Sequence, residues 1–306
     1  MTDYHVLVKD VSKYKEVEDI AINHNEVQEL IDALTEQGTL ESYELIQSLI
    51  NDKYSFDWEE FAWSIAKSGD LRVLDHWLFE EVDIVELLSE LLKTIHLPVI
   101  EWLFENFEDD IKSYHLTSET PVLFEYCAEK GIFLDVVCKE AYPALKGERL
   151  ADVLMKCIML DHYPPLDIAV RSDSLTVESL LLFEPEQSDE MITEAFEVVN
   201  DDKIAQVLLD AFPAAEIYVD DLINAVHNHL PSILLRIENE EQLDMLLILD
   251  NTYWDDYNKD ITWMLNTLRP RLKDLNFSLT SKIVKAVAEE VDHDLLKFLV
   301  NNFNLS

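Results

Sequence analysis

The stretch from Phe56 to Phe107 carries one helix pair twice, and this repetition constrains the fold more than any other feature of the chain. A helical run over Trp58–Ala66 stops at Ser68-Gly69-Asp70, and a second helix follows over Leu71–Leu78. The unit then recurs as Ile84–Leu92, a break at Thr94-Ile95-His96, and a second helix over Leu97–Phe104. The second helices superpose at an offset of 26 positions: Leu71 on Leu97, Val73 on Val99, Leu74 on Ile100, Trp77 on Leu103, Leu78 on Phe104. A pair of this size cannot bury its apolar stripes alone, so it has to stack on a neighbour.

The remainder of the chain reads the same way. The quartet Val73, Leu74, Trp77, Leu78 returns as Ile204, Ala205, Leu208, Leu209 and as Leu295, Leu296, Leu299, Val300. These spacings fit units of roughly 26 to 35 residues. Only 4 glycines occur among 306 residues, of which 48% are hydrophobic, so turn-rich sheet folds are disfavoured and an all-α fold is expected. The expected architecture is an elongated solenoid of stacked helix pairs. Residues 1–53 form an N-terminal cap with two helices, 54–171 a first block of repeats, and 172–306 a second, more acidic block. Within the cap, His5-Val6-Leu7-Val8 fits a short strand or an irregular cap. A cap residue is expected at Thr117 or Ser118, and the segment from Ser172 to Ser188 is the expected break in the array. The tryptophans Trp58, Trp63, Trp77, Trp102 and Trp263 fall largely on apolar faces and are expected in the core.

Ser68-Gly69-Asp70-Leu71-Arg72-Val73-Leu74-Asp75-His76-Trp77-Leu78 resembles the turn and second helix of a diverged ankyrin repeat. The resemblance is concentrated in residues 56–107. It lacks the Thr-Pro-Leu-His start of that family and most of the glycines that shape its hairpins, so plain α-α pairs are the alternative. It implies protein binding and not catalysis, by analogy of fold.

No phosphate loop, dinucleotide fingerprint or nucleophile elbow is present in the sequence. His227-Asn228-His229 and Asp292-His293-Asp294 come nearest to metal clusters. The first pair of rings would point apart on a helix, and Asp292 reads as a helix cap. No catalytic residue, cofactor or metal is therefore expected. Cys127, Cys138 and Cys157 suit buried thiols in a reducing compartment. The chain shows no signal-peptide pattern and no long apolar run, which leads to the expectation of a cytoplasmic protein.

Charge carries the functional expectation. The formal net charge is −40, from 63 acidic and 23 basic residues. Between Cys157 and Asn258 there are 23 acids against 3 bases (Arg171, Lys203, Arg236), a balance of −20. Solvated helix faces normally mix signs, and this segment does not. Such a charge disfavours direct binding of nucleic acid or an anionic membrane and favours a basic protein partner. The expected contacts are Glu108, Asp109, Asp110, Asp201, Asp202, Asp220, Asp221, Glu238, Glu240, Glu241, Trp254, Asp255 and Asp256. The sharper hypothesis is a DNA mimic or immunity-type inhibitor, blocking a nucleic-acid-binding protein or nuclease. The alternative is a generic ankyrin-like adaptor that binds through a mixed-residue groove, with the charge serving solubility.

Overall fold

A computed structural model describes residues 3–51, 53–80, 82–248 and 257–304. The chain divides into two compact units, Met1–Leu145 and Lys146–Ser306. Among the described residues there are 21 α-helices, two 3-10 turns and no strand.

The first unit contains α1 (Tyr4–Leu7), α2 (Tyr14–His24), α3 (Val27–Thr35), α4 (Leu40–Leu49), α5 (Trp58–Ser68), α6 (Leu71–Phe79), α7 (Ile84–Leu91), α8 (Leu97–Phe107), α9 (Pro121–Lys130) and α10 (Leu134–Ala144). Polar residues start these helices by accepting orphan backbone N–H groups: Thr39 from Ser42, Asp57 from Glu60, Asp70 from Arg72. Left-handed residues end them, Asn25 after α2 and Gly69 after α5. Helices α3, α5 and α7 pack in succession, as do α4, α6 and α8, so successive pairs stack in two rows. The matched positions of the repeat are its core: Val73, Leu74, Trp77, Val99, Ile100 and Leu103 are all fully buried.

Polar junctions seal one pair against the next. The Ser68 hydroxyl donates to the Gly38 carbonyl at 2.6 Å, across 30 residues. The Thr94 hydroxyl donates to the Ala66 carbonyl at 2.7 Å, across 28. The C-terminal carbonyls of one first helix are thus satisfied by the end of the next first helix, at close to the repeat period. Other side chains bridge at similar separations: Asp70 accepts from the Leu40 N–H, and the Trp102 indole N–H donates to Asp75. Two glycines permit the close approach. A β-carbon on Gly38 would lie 2.2 Å from the Ser64 backbone carbon, and one on Gly69 would lie 2.7 Å from the His96 ring. Both residues also have positive φ, +59° and +71°, which glycine adopts without strain.

The second unit contains α11 (Glu148–Met159), α12 (Leu166–Ala169), α13 (Ser174–Phe183), α14 (Asp189–Val198), α15 (Asp202–Ala211), α16 (Val219–His227), α17 (Pro231–Leu234), α18 (Glu240–Ile248), α19 (Tyr257–Leu268), α20 (Ser281–Glu289) and α21 (His293–Asn302). One row runs through α12, α14, α16 and α18, another through α11, α13, α15, α17 and α19. A single hydrophobic cluster extends from Ile158 to Leu299. The junction device recurs here. The Asn224 amide donates to the Phe196 and Val199 carbonyls at 3.1 and 2.8 Å, and Ser232 donates through its N–H and hydroxyl to the Asp202 carboxylate at 2.9 and 3.0 Å.

Several expectations are corrected. His5–Val8 forms neither a strand nor an irregular cap: Tyr4–Leu7 is helical, because Tyr4 and Val8 lie one turn apart and both are buried. Four helices precede residue 53, not two. The segment 172–188 is not a break, since α13 occupies most of it and buries Val177 and Leu180. The residue that starts α9 is Thr120, whose hydroxyl accepts the Thr117 N–H. Of the tryptophans, Trp77 is fully buried, whereas Trp58 and Trp63 are 38% and 41% exposed. Three repeat positions expected in the core differ too: Leu78, Leu97 and Val300 are exposed.

The junction geometry makes a prediction. Gly38→Ala combines a left-handed backbone with collision against rigid backbone, and is expected to cost about 3 kcal/mol, from about 1–2 for the strain and about 1–3 for overpacking. Gly69→Ala carries the same left-handed strain, but its nearest contacts are atoms of the His96 side chain, so its cost should fall measurably when His96→Ala is added. Urea unfolding of the four variants measures both. Equal costs for Gly38→Ala and Gly69→Ala, with no rescue by His96→Ala, would contradict the junction model.

Candidate functional site

Helices α14, α15, α16 and α18 assemble the strongest site candidate around the loop that joins α15 to α16. Pro213 cannot extend α15, so the chain leaves the helix and crosses as 213–218 before α16 begins. Gln242 of α18 holds this loop in place: its amide donates to the Ile217 carbonyl at 3.2 Å and accepts the Glu238 N–H at 2.8 Å. Two clefts flank the loop. One, of about 480 Å³, is lined by Asp189, Ile192, Phe212, Glu216 and Tyr218 among others. The second, of about 540 Å³, shares the loop and adds Arg236, Glu238 and Gln242.

Tyr218 stands at the centre, 47% exposed, with its hydroxyl donating to Glu216 at 3.0 Å. Its phenol is held above its ordinary pKa, first by the hydrogen bond to Glu216 and then by the charge of Glu216, with Asp221 and Asp189 adding to it. Carboxylates from α14, the loop and α16 therefore act on one exposed aromatic ring. Arg236 is the basic side chain among the lining residues of these clefts.

The expected contact residues separate into groups. Asp220 lies in the first turn of α16 beside Tyr218, and Glu238 lines the second cleft. Glu240 and Glu241 are exposed in the first turn of α18, where negative charge also favours the helix dipole. Asp201 and Asp202 are structural as well as acidic: Asp201 accepts the Lys203 and Ile204 N–H groups, and Asp202 holds Ser232. Asp201 lines a different cleft, together with Lys203 and Asn228. Glu108, Asp109 and Asp110 are exposed at the end of α8, in the first unit. Trp254, Asp255 and Asp256 lie outside the described residues.

Asp221 leaves the set of surface contacts, because it is only 1% exposed. One carboxylate oxygen accepts the Tyr218 N–H at 2.7 Å, and the other has no partner among the described residues. Burial pushes its carboxyl from an ordinary 3.8 up to about 6, with repulsion from Glu197 and Asp220 adding to the effect. The missed residues are Tyr218, Glu216, Asp189 and Gln242. Their sequence signal was an aromatic and an acid just beyond Pro213-Ala214-Ala215, a helix-breaking run between two amphipathic helices.

The histidine motifs are otherwise engaged. The His229 ring stacks on Trp263 with centroids 4.6 Å apart, and Asp292 accepts from Leu295 N–H and the Asn266 amide. Among the described residues no group of three or more metal-binding side chains converges. All three cysteines are buried, and burial raises the Cys127 thiol to about 12, which keeps it protonated and inert. No helix among the described residues is long and apolar enough to cross a membrane.

Asp221 generates a pH prediction. Its folded pKa is raised, so its stabilising contribution is full below the unfolded value of 3.8 and is lost as pH rises through about 6. Asp221→Asn should flatten that slope and raise stability near neutral pH by on the order of 2 kcal/mol. Thermal midpoints of both proteins across the range check this. Parallel midpoint curves would show that the carboxyl is not buried in its charged form.

Compared with known proteins, the chain matches no protein-family model, no curated protein and no solved structure.

Proposed function

We propose that the chain is a non-enzymatic binding protein that engages a basic protein through the exposed carboxylates of its second unit. The observation that carries this reading is the convergence of Asp189, Glu216 and Glu238 on the clefts beside Tyr218, with Asp220 exposed in the adjoining first turn of α16 and Arg236 as the basic side chain lining the clefts. An exposed aromatic ring on a predominantly acidic surface suits protein recognition: the ring supplies contact area, and the charge steers encounter. In its sharper form, the acidic surface occupies the nucleic-acid-binding face of the partner, as a DNA mimic or immunity-type inhibitor does. The helix pairs are read as diverged ankyrin-like repeats, and the side chain-to-carbonyl bonds at separations of 30 and 28 residues support a repeating unit of that size.

Salt and competition test this. The immobilised protein should retain a basic nucleic-acid-binding protein at about 0.1 M salt and release it at about 0.5 M, where the screening length is severalfold shorter. Added duplex DNA should displace that partner. Replacing Glu238, Glu240 and Glu241 with glutamine should weaken binding roughly threefold to tenfold at the lower salt, and by less at the higher. A partner that survives high salt and ignores DNA would instead identify an adaptor that binds through a mixed-residue groove.

A further inference from the structure

The first unit holds a cleft of a different character. It lies between α4, α5 and α7 and the turn that precedes α7, and encloses about 560 Å³. One wall is aromatic, formed by Tyr43 and Trp58 with centroids 6.2 Å apart. The other walls carry Glu59, Glu80, Asp83 and Glu86, and among the described residues no lysine or arginine lines the cleft.

The aromatic wall is held in place from behind. Trp58 meets Phe56 edge-on at 4.8 Å and Trp77 at 5.6 Å, while Tyr43 stacks on Phe61 at 5.7 Å. Glu80 is already engaged, accepting from the Tyr43 hydroxyl at 2.7 Å and lying 2.9 Å from His76. Glu59, Asp83 and Glu86 have no cationic partner among the described residues. Helix α5 contains its own comparison. Trp63, exposed to a similar degree, is covered by Lys67 of the same helix, with the ammonium 3.0 Å from the ring centroid. Trp58 has no such cover among the described residues.

We propose that this cleft receives an arginine side chain of the basic partner. A guanidinium is planar, stacks on an indole face and presents its N–H fork to carboxylates in the same plane. Trp58 supplies the face, and Glu59, Asp83 and Glu86 supply uncommitted acceptors around it. Lysine would retain the charge and lose the stacking and the fork. The proposal rests on the reading that the partner is basic, and it adds which side chain is recognised and where.

The test uses the full chain and a monovalent probe, Nα-acetyl-arginine methylamide, because a polycation would bind so acidic a protein anywhere. The tryptophan indole N–H signals are followed by NMR as the probe is added, with the lysine and citrulline analogues as comparators. The Trp58 signal should shift saturably with arginine, several-fold more weakly with lysine, and not with citrulline. Trp58→Leu should reduce probe affinity roughly fivefold to tenfold. Glu59→Gln with Glu86→Gln keeps the ring and should also weaken binding, with the buried Trp77 signal reporting that the fold is intact. The Glu238, Glu240 and Glu241 glutamine variant should bind the probe normally. Equal response to arginine and citrulline, or unchanged affinity in both pocket variants, would overturn the proposal. The probe experiment needs no partner, so failure of the arginine pocket is separable from failure to find a basic partner.

Discussion

A helix pair with an apolar stripe on each member has to be covered by the pair that follows it, and the cover has to leave no backbone carbonyl stranded. In this protein one device meets both demands. Ser68 reaches back to Gly38, Thr94 to Ala66, and Asn224 to Phe196 and Val199. Each bond satisfies a carbonyl that its own helix leaves open and sets the register of the next pair. The approach is close enough that Gly38 and Gly69 have no room for a β-carbon.

The acidic residues divide by the same logic. Asp57, Asp70, Asp173, Asp201 and Asp292 accept backbone N–H groups at helix starts, and Asp75 and Asp202 bridge between helices. For these, the carboxylate contributes to the fold, through hydrogen bonds to orphan donors and the favourable end of the helix dipole. Asp221 shows the limit of that use, because burial raises its pKa to about 6 and leaves one oxygen without a partner. What sets the candidate interface apart is the remainder: Asp189, Glu216, Asp220 and Glu238 are exposed beside a half-exposed tyrosine. None of these four side chains caps a helix, and Glu216 accepts the Tyr218 hydroxyl.

The three tryptophans of α5 and α6 illustrate how packing decides what a ring does. Trp58, Trp63 and Trp77 lie within twenty residues of each other on α5 and α6. Trp77 fills the core, Trp63 is covered by Lys67, and Trp58 faces a cleft ringed by carboxylates. Their helical periodicity alone assigns all three to apolar faces. The difference arises from which neighbour each face meets.

Helical class, the paired organisation of residues 56–107, the stop at Gly69 and the start at Asp292 were all contained in the sequence. They depend on local physics: 3.6-residue periodicity, capping hydrogen bonds and left-handed backbone act within a turn or two of chain. The concentration of acid between Cys157 and Asn258 was equally plain. Which acid is buried and which bridge between helices depended on contacts between distant residues, as where Asp202 holds Ser232 and Asp75 accepts from Trp102. The helix over 174–183 likewise buries Val177 and Leu180 against its neighbours, and Pro185 falls beyond its end. Burial and side-chain partnership belong to the packed molecule, because they are set by what lies across the interface and not by what lies next in the chain.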